Sequence, residues 1–86
     1  MYVYPNPVHP EYDGPIAIKG LKANSTVKIT DVKGNLIHQG TSLGGQYIWD
    51  GKNVKRERVD TGVYIIFGAS EEGDEGAVTK VMVISE

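Results

Sequence analysis

An all-β domain, folded as a two-layer antiparallel β-sandwich of about seven short strands, is what this sequence predicts. Short runs rich in Val, Ile, Tyr and Trp recur between turn signals such as Lys33-Gly34-Asn35 and Asp50-Gly51. No segment keeps apolar residues at helical spacing long enough to compete. The stretch Asp60-Thr61-Gly62-Val63-Tyr64 has the form of a tyrosine corner, in which a ring packs inside a sandwich while its hydroxyl bonds to an upstream carbonyl. The corner makes the expected sandwich immunoglobulin-like. Asp60, Gly62 and Tyr64 are its structural residues, with Gly62 expected to leave room for the clamped ring.

In order, Tyr2-Val3-Tyr4 is a short entering strand, which Pro5-Asn6-Pro7 breaks because prolines remove ladder donors and bias their neighbours to extended conformations. His9 to Pro15 is loop by composition. Ile16 to Lys19 is the second strand, and Leu21 closes over its end. Ser25 to Val32 alternates, with Val27 and Ile29 on one side, and turns at Gly34 into Leu36 to Gln39; Gly34 is expected to take φ > 0. Thr41 to Gly45 is a flexible connection. Gln46 to Trp49 is the next strand and ends in the turn Asp50-Gly51-Lys52-Asn53. After the polar run Asn53 to Arg58 come the corner, the strand Val63 to Ala69, a solvated acidic loop and a last strand, Ala77 to Ser85.

The last two strands depart from simple alternation. Val63, Ile65 and Phe67 share one face while Tyr64 and Ile66 share the other, and Val81 and Val83 oppose Met82 and Ile84. A two-layer sandwich buries one face of each sheet, so one apolar set is left over. With Tyr64 and Ile66 facing in, Val63, Ile65 and Phe67 face out and form a docking face. The plain alternative is that Gly40 to Gly45 folds over it.

A chain of 86 residues, 40% hydrophobic and 23% charged, has room for one thin core and one domain, residues 1–86. A net charge of -2 offers no field for nucleic acid or an anionic membrane, and no apolar run is long enough to insert directly into a bilayer. Without cysteine there is neither a disulfide nor a thiolate metal site. The N-terminus lacks the basic and apolar regions of a signal peptide. The expectation is a domain cut from a longer protein, with Met1 a start residue added to it and the last strand at a natural chain end.

Candidate chemistry is sparse, and neither a metal nor another cofactor is expected. His9 and His38 lack a second ligand at i+2 or i+4 and read as surface residues. Glu71, Glu72, Asp74 and Glu75 lack the alternation of a calcium loop and read as a solvated turn. Asp50, Asn53 and Asp60 are accounted for by turns and the corner. Lys55-Arg56-Glu57-Arg58 is short and interrupted, an exposed loop rather than a phosphate site. Tyr2, Tyr4, Tyr12, Tyr47 and Trp49 are enough aromatics for a sugar platform, but a thin core needs large rings, so Trp49 is assigned to the core. No nucleophile elbow or triad context supports catalysis. The chain reads as a non-enzyme.

Several motifs, in order, resemble a known family. Tyr4-Pro5-Asn6-Pro7-Val8, Val27-x-Ile29-x-Asp31 with Gly34-Asn35, Trp49-Asp50-Gly51-Lys52-Asn53, Thr61-Gly62-Val63-Tyr64 and Lys80-x-x-Val83-Ile84 are together similar to C-terminal sorting domains of the type IX (Por) secretion system. Ser42-Leu43-Gly44-Gly45 and the intact run to Ile84 look most like the domains that end large surface β-propeller proteins of that system. The resemblance implies a sandwich carried by an exported protein, passing from periplasm to outer-membrane surface. Its implied partners are the translocon and its shuttle proteins, or sortase-attachment proteins, together with preceding domains of the parent chain. The family pattern puts recognition in Gly76 to Glu86, at Lys80, Val81, Val83 and Ile84. Two other functions remain open: a structural module packed against a preceding propeller or sensor domain, and a carbohydrate-binding module.

Overall fold

Period-two alternation becomes strand structure throughout the computed structural model, which describes residues 1–70 and 78–85. The strands are β1 (Tyr2–Tyr4), β2 (Ile16–Lys19), β3 (Thr26–Thr30), β4 (Leu36–Thr41), β5 (Gln46–Trp49), β6 (Gly62–Ala69) and β7 (Val78–Val83). They make two layers, a three-stranded sheet β1-β2-β5 and a four-stranded sheet β4-β3-β6-β7, with antiparallel ladders throughout. The all-β, immunoglobulin-like sandwich expected from the sequence is the fold observed. The acidic run Glu71 to Glu75, with its calcium question, lies outside the described residues.

Inward positions fill the space between the layers. Ile16 and Ile18 from β2 meet Val27 and Ile29 from β3, Tyr64 and Ile66 from β6, and Val81 and Val83 from β7. Trp49 on β5 is 0% exposed and is the largest buried side chain. Its indole N–H donates to the Lys52 carbonyl at 3.0 Å, so the ring is buried without an unpaired donor. Leu21 packs on this core, close enough to Gly68 that a Cβ there would meet its Cδ2 at 2.8 Å.

The turns follow their residue chemistry. Gly34 has φ +91°, and Asp31 Oδ1 accepts from the Lys33 and Asn35 backbone N–H groups at 2.9 Å each. These bonds to the charged form, the Asn35 side chain first, hold the Asp31 carboxyl below its ordinary pKa. Asp50 and Asn53 also bond within their own turns. Lys55 to Arg58 is exposed. The connection after β4, read from composition as flexible, is instead pinned. Ser42 is buried, its hydroxyl accepts from Ser25 N–H at 2.8 Å and donates to the Lys22 carbonyl at 2.9 Å.

At the corner, the Tyr64 hydroxyl donates to the Asp60 carbonyl at 2.7 Å. A Cβ added at Gly62 would sit 3.8 Å from the Tyr64 ring, an ordinary contact, so space does not require glycine there. Tyr64→Phe is expected to lower stability by about 1 kcal/mol, the net worth of one hydrogen bond whose acceptor is rehydrated once released. Urea unfolding should show a lower midpoint at constant m-value; an unchanged midpoint would mean that the bond contributes nothing.

Where β4 faces β5, His38 is half-buried rather than a plain surface residue. Its Nε2 lies 2.6 Å from the Tyr47 hydroxyl, and its ring centroid lies 5.7 Å from Tyr47 and 6.2 Å from Trp49. Gly40, two residues on, has no side chain because the Tyr47 ring occupies that space. Burial lowers the His38 pKa, opposed by the Asp50 charge, and so the folded state favours neutral imidazole. The unfolded chain therefore takes up this proton at higher pH. The His38 contribution is complete above the unfolded pKa of about 6.5 and is lost as pH falls below it toward the folded value. Melting temperature should fall between about pH 7.5 and about pH 5.5. His38→Gln should flatten that slope, and an identical slope in the variant would assign it to other groups.

Candidate recognition surface

The outer face of the four-stranded sheet is set by the register that builds the core. With Tyr64 and Ile66 inward, Val63, Ile65 and Phe67 on β6 point away from it, and none is sealed beneath a loop: Val63 and Ile65 are half-buried and Phe67 is 40% exposed. On β7, Val63 pairs with Met82, Ile65 with Lys80 and Phe67 with Val78. Val78 is 60% and Met82 42% exposed. Five apolar side chains thus form one stripe along β6 and β7, with a shallow groove of about 410 Å³ lined by Ile65, Val78, Thr79 and Lys80. On the β3 side, Lys28 pairs with Phe67 and Thr30 with Ile65, so Lys28 lies beside the β6 row while Lys80 stands on its other side, between Val78 and Met82 on β7.

The residues expected to carry recognition do not share this face. Lys80 does, and it is exposed. Val81 and Val83 are 0% exposed and belong to the core, so their side chains hold β7 in place. Ile84 is half-buried just past the strand. Gly76, Ala77 and Glu86 lie outside the described residues. Sequence reasoning missed Met82 and Val78 as outward residues, because which apolar set of β7 faces in is decided by its pairing with Tyr64 and not by its own composition.

The free edge of β7 is occupied. The Asn6 side-chain amide donates to the Lys80 carbonyl and its Oδ1 accepts from Met82 N–H, each at 3.1 Å. Val8 N–H then donates to the Met82 carbonyl, and Ile84 N–H to the Val8 carbonyl, each at 2.8 Å. The Pro5-Asn6-Pro7 segment that reads as a strand breaker is therefore also a clasp, in which one side-chain amide stands in for a strand's backbone. Ser85 N–H donates to Thr61 Oγ1 at 2.8 Å, which ties the chain beyond β7 to the start of β6.

The remaining candidates are dispersed. His9 is exposed in its loop, and the described residues contain no cluster of His, Asp or Glu able to hold a metal ion. Tyr2 and Tyr4 stand exposed on the outer face of the three-stranded sheet, beside Ile48 across β2. Trp49 is buried, so a sugar platform built on it is not available. Among the described residues no helix is long and apolar enough to cross a membrane.

The family described as "Secretion system C-terminal sorting domain" matches residues 2–85. Among solved structures, the chain is similar to one from a study of PorZ, "an essential bacterial surface component of the type-IX secretion system" of Porphyromonas gingivalis. That likeness has a TM-score of 0.86 and 36% sequence identity, and it covers 96% of this chain and 11% of the other. The present chain thus spans about a tenth of the length of that structure's chain. A comparison with curated proteins gives no match.

Proposed function

The chain belongs to the secretion system C-terminal sorting domain family, and from that premise we propose that it is the address by which a larger exported protein is delivered to the bacterial surface through type IX machinery. It acts by surface contact and performs no chemistry. The observation that carries this reading is the open stripe on the last two strands of a domain that matches the family over nearly its whole length. Its partners are the translocon, shuttle or attachment proteins of that system, and its route runs from periplasm to outer-membrane surface. Val63, Ile65 and Phe67 form the docking face, extended by Val78 and Met82. Lys80 acts directly, Ile84 borders the same end, and Val81 and Val83 act by fixing the strand.

The test is a reporter carried to the periplasm by a signal peptide and joined to this domain, in a bacterium with a type IX system. Surface display is expected with this domain and absent when an unrelated sandwich of similar size replaces it. Equal display from both would end the sorting reading. A second reading, a structural module against a preceding domain of the parent chain, is favoured by the exposed Tyr2, Tyr4 and Ile48 on the opposite layer. It expects that replacement destabilises the parent without changing where it goes.

A further inference from the structure

We propose that the outer face of β6 and β7 packs flat against a protein surface of apolar side chains rimmed by carboxylates, and that the partner does not add a strand to β7. The proposal rests on the sorting reading and names the chemistry of the partner in it.

Three features of the molecule carry it. First, strand addition needs free N–H and C=O groups along an edge. On β7 the Lys80 carbonyl, Met82 N–H and Met82 carbonyl, with Ile84 N–H just beyond, already bond to Asn6 and Val8. A partner strand would have to displace all of these bonds, whereas the face is open without any rearrangement. Second, the stripe Val63, Ile65, Phe67, Val78 and Met82 is continuous across two paired strands, as the registers Val63↔Met82 and Phe67↔Val78 require. Its groove beside Ile65 can receive a protruding side chain of the partner.

Third, the charges on this face run against those of the chain. The protein carries a net charge of -2, yet the outward residues described on β3, β4, β6 and β7 include Lys28 and Lys80 and no carboxylate. Those outward positions are Thr26, Lys28 and Thr30 on β3, Leu36, Gln39 and Thr41 on β4, the β6 stripe with Ala69, and Val78, Lys80 and Met82 on β7. Each lysine is paired in register with a stripe residue, Lys28 with Phe67 and Lys80 with Ile65. The ammonium groups therefore border the apolar contact, where an opposite charge selects a partner and a like charge rejects it.

The test uses the same reporter fusion with four paired variants, one of them a control, and the single variant Asn6→Ala, each also purified and melted to confirm folding. Lys28→Glu with Lys80→Glu should lower the surface-displayed fraction about tenfold, and Lys28→Gln with Lys80→Gln should lower it less, since repulsion is added only in the first. Val78→Ser with Met82→Ser should also lower it, while the control Lys33→Glu with Lys55→Glu should leave display unchanged. If the Glu and Gln pairs behave alike, the carboxylate rim is wrong. Full display from both the Glu pair and the Ser pair would exclude this face as the contact, even with the whole domain still required. Display that rises in Asn6→Ala, with the melting temperature held, would overturn flat packing in favour of strand addition. Loss of the requirement for the whole domain would instead end the sorting reading beneath the proposal.

Discussion

Removing Lys80 to Glu86 is expected to unfold the domain, and not only to strip an address from a folded one. Val81 and Val83 are fully buried, and each such side chain is worth about 1.5 to 3 kcal/mol. The deletion also exposes the β6 ladder and leaves Asn6 and Val8 without partners. Domains of this size have a total stability of roughly 4 to 13 kcal/mol, so the combined loss takes most or all of it. Circular dichroism on the truncated chain should show no cooperative melting transition. A sharp transition near that of the intact chain would refute the placement of β7 in the core. For that reason mislocalisation after truncation cannot separate a lost signal from a lost fold, whereas surface variants at Lys28, Val78, Lys80 and Met82 can.

Trp49→Ala is expected to cost about 3 to 5 kcal/mol, the range for emptying a core site of a large aromatic ring. Trp49 bridges the layers: it projects from β5 toward Tyr64 on β6, with ring centroids 6.1 Å apart at 64°, and toward His38 on β4. Its indole N–H also holds the turn after β5 through the Lys52 carbonyl. A smaller residue leaves a cavity that two sheets pinned at several points cannot collapse to fill. In urea, the midpoint should fall steeply at an m-value close to that of the parent, and Trp49→Phe should recover most of the loss. A loss below about 1 kcal/mol in Trp49→Ala would mean that the indole does not occupy the centre of the core.

Much of the fold was legible because it rests on local pattern. Alternation around Val27 and Ile29, the Gly34 turn and the Tyr64 corner each involve neighbours in sequence, and the outward turn of Val63, Ile65 and Phe67 follows once Tyr64 faces in. The β7 clasp was not legible, since Asn6 meets Lys80 across 74 residues and does so with a side chain, which strand patterns do not describe. His38 was misjudged as a surface residue because its cover comes from Tyr47 on another strand. The side-chain-free Gly40 two positions along was the available signal. The choice between the two apolar sets of β7 depended on pairing with β6, and composition alone assigns no register.

Because Asn6 and Val8 find their partners only among the last residues of the chain, closure of this fold waits for its final strand. Contacts spanning 74 to 76 residues form slowly, after the local hairpins, since a long loop must be ordered first. A polypeptide still emerging from a ribosome lacks β7 until this segment has been made in full. The local hairpins can form before then, but the two sheets lock together only once β7 has joined them.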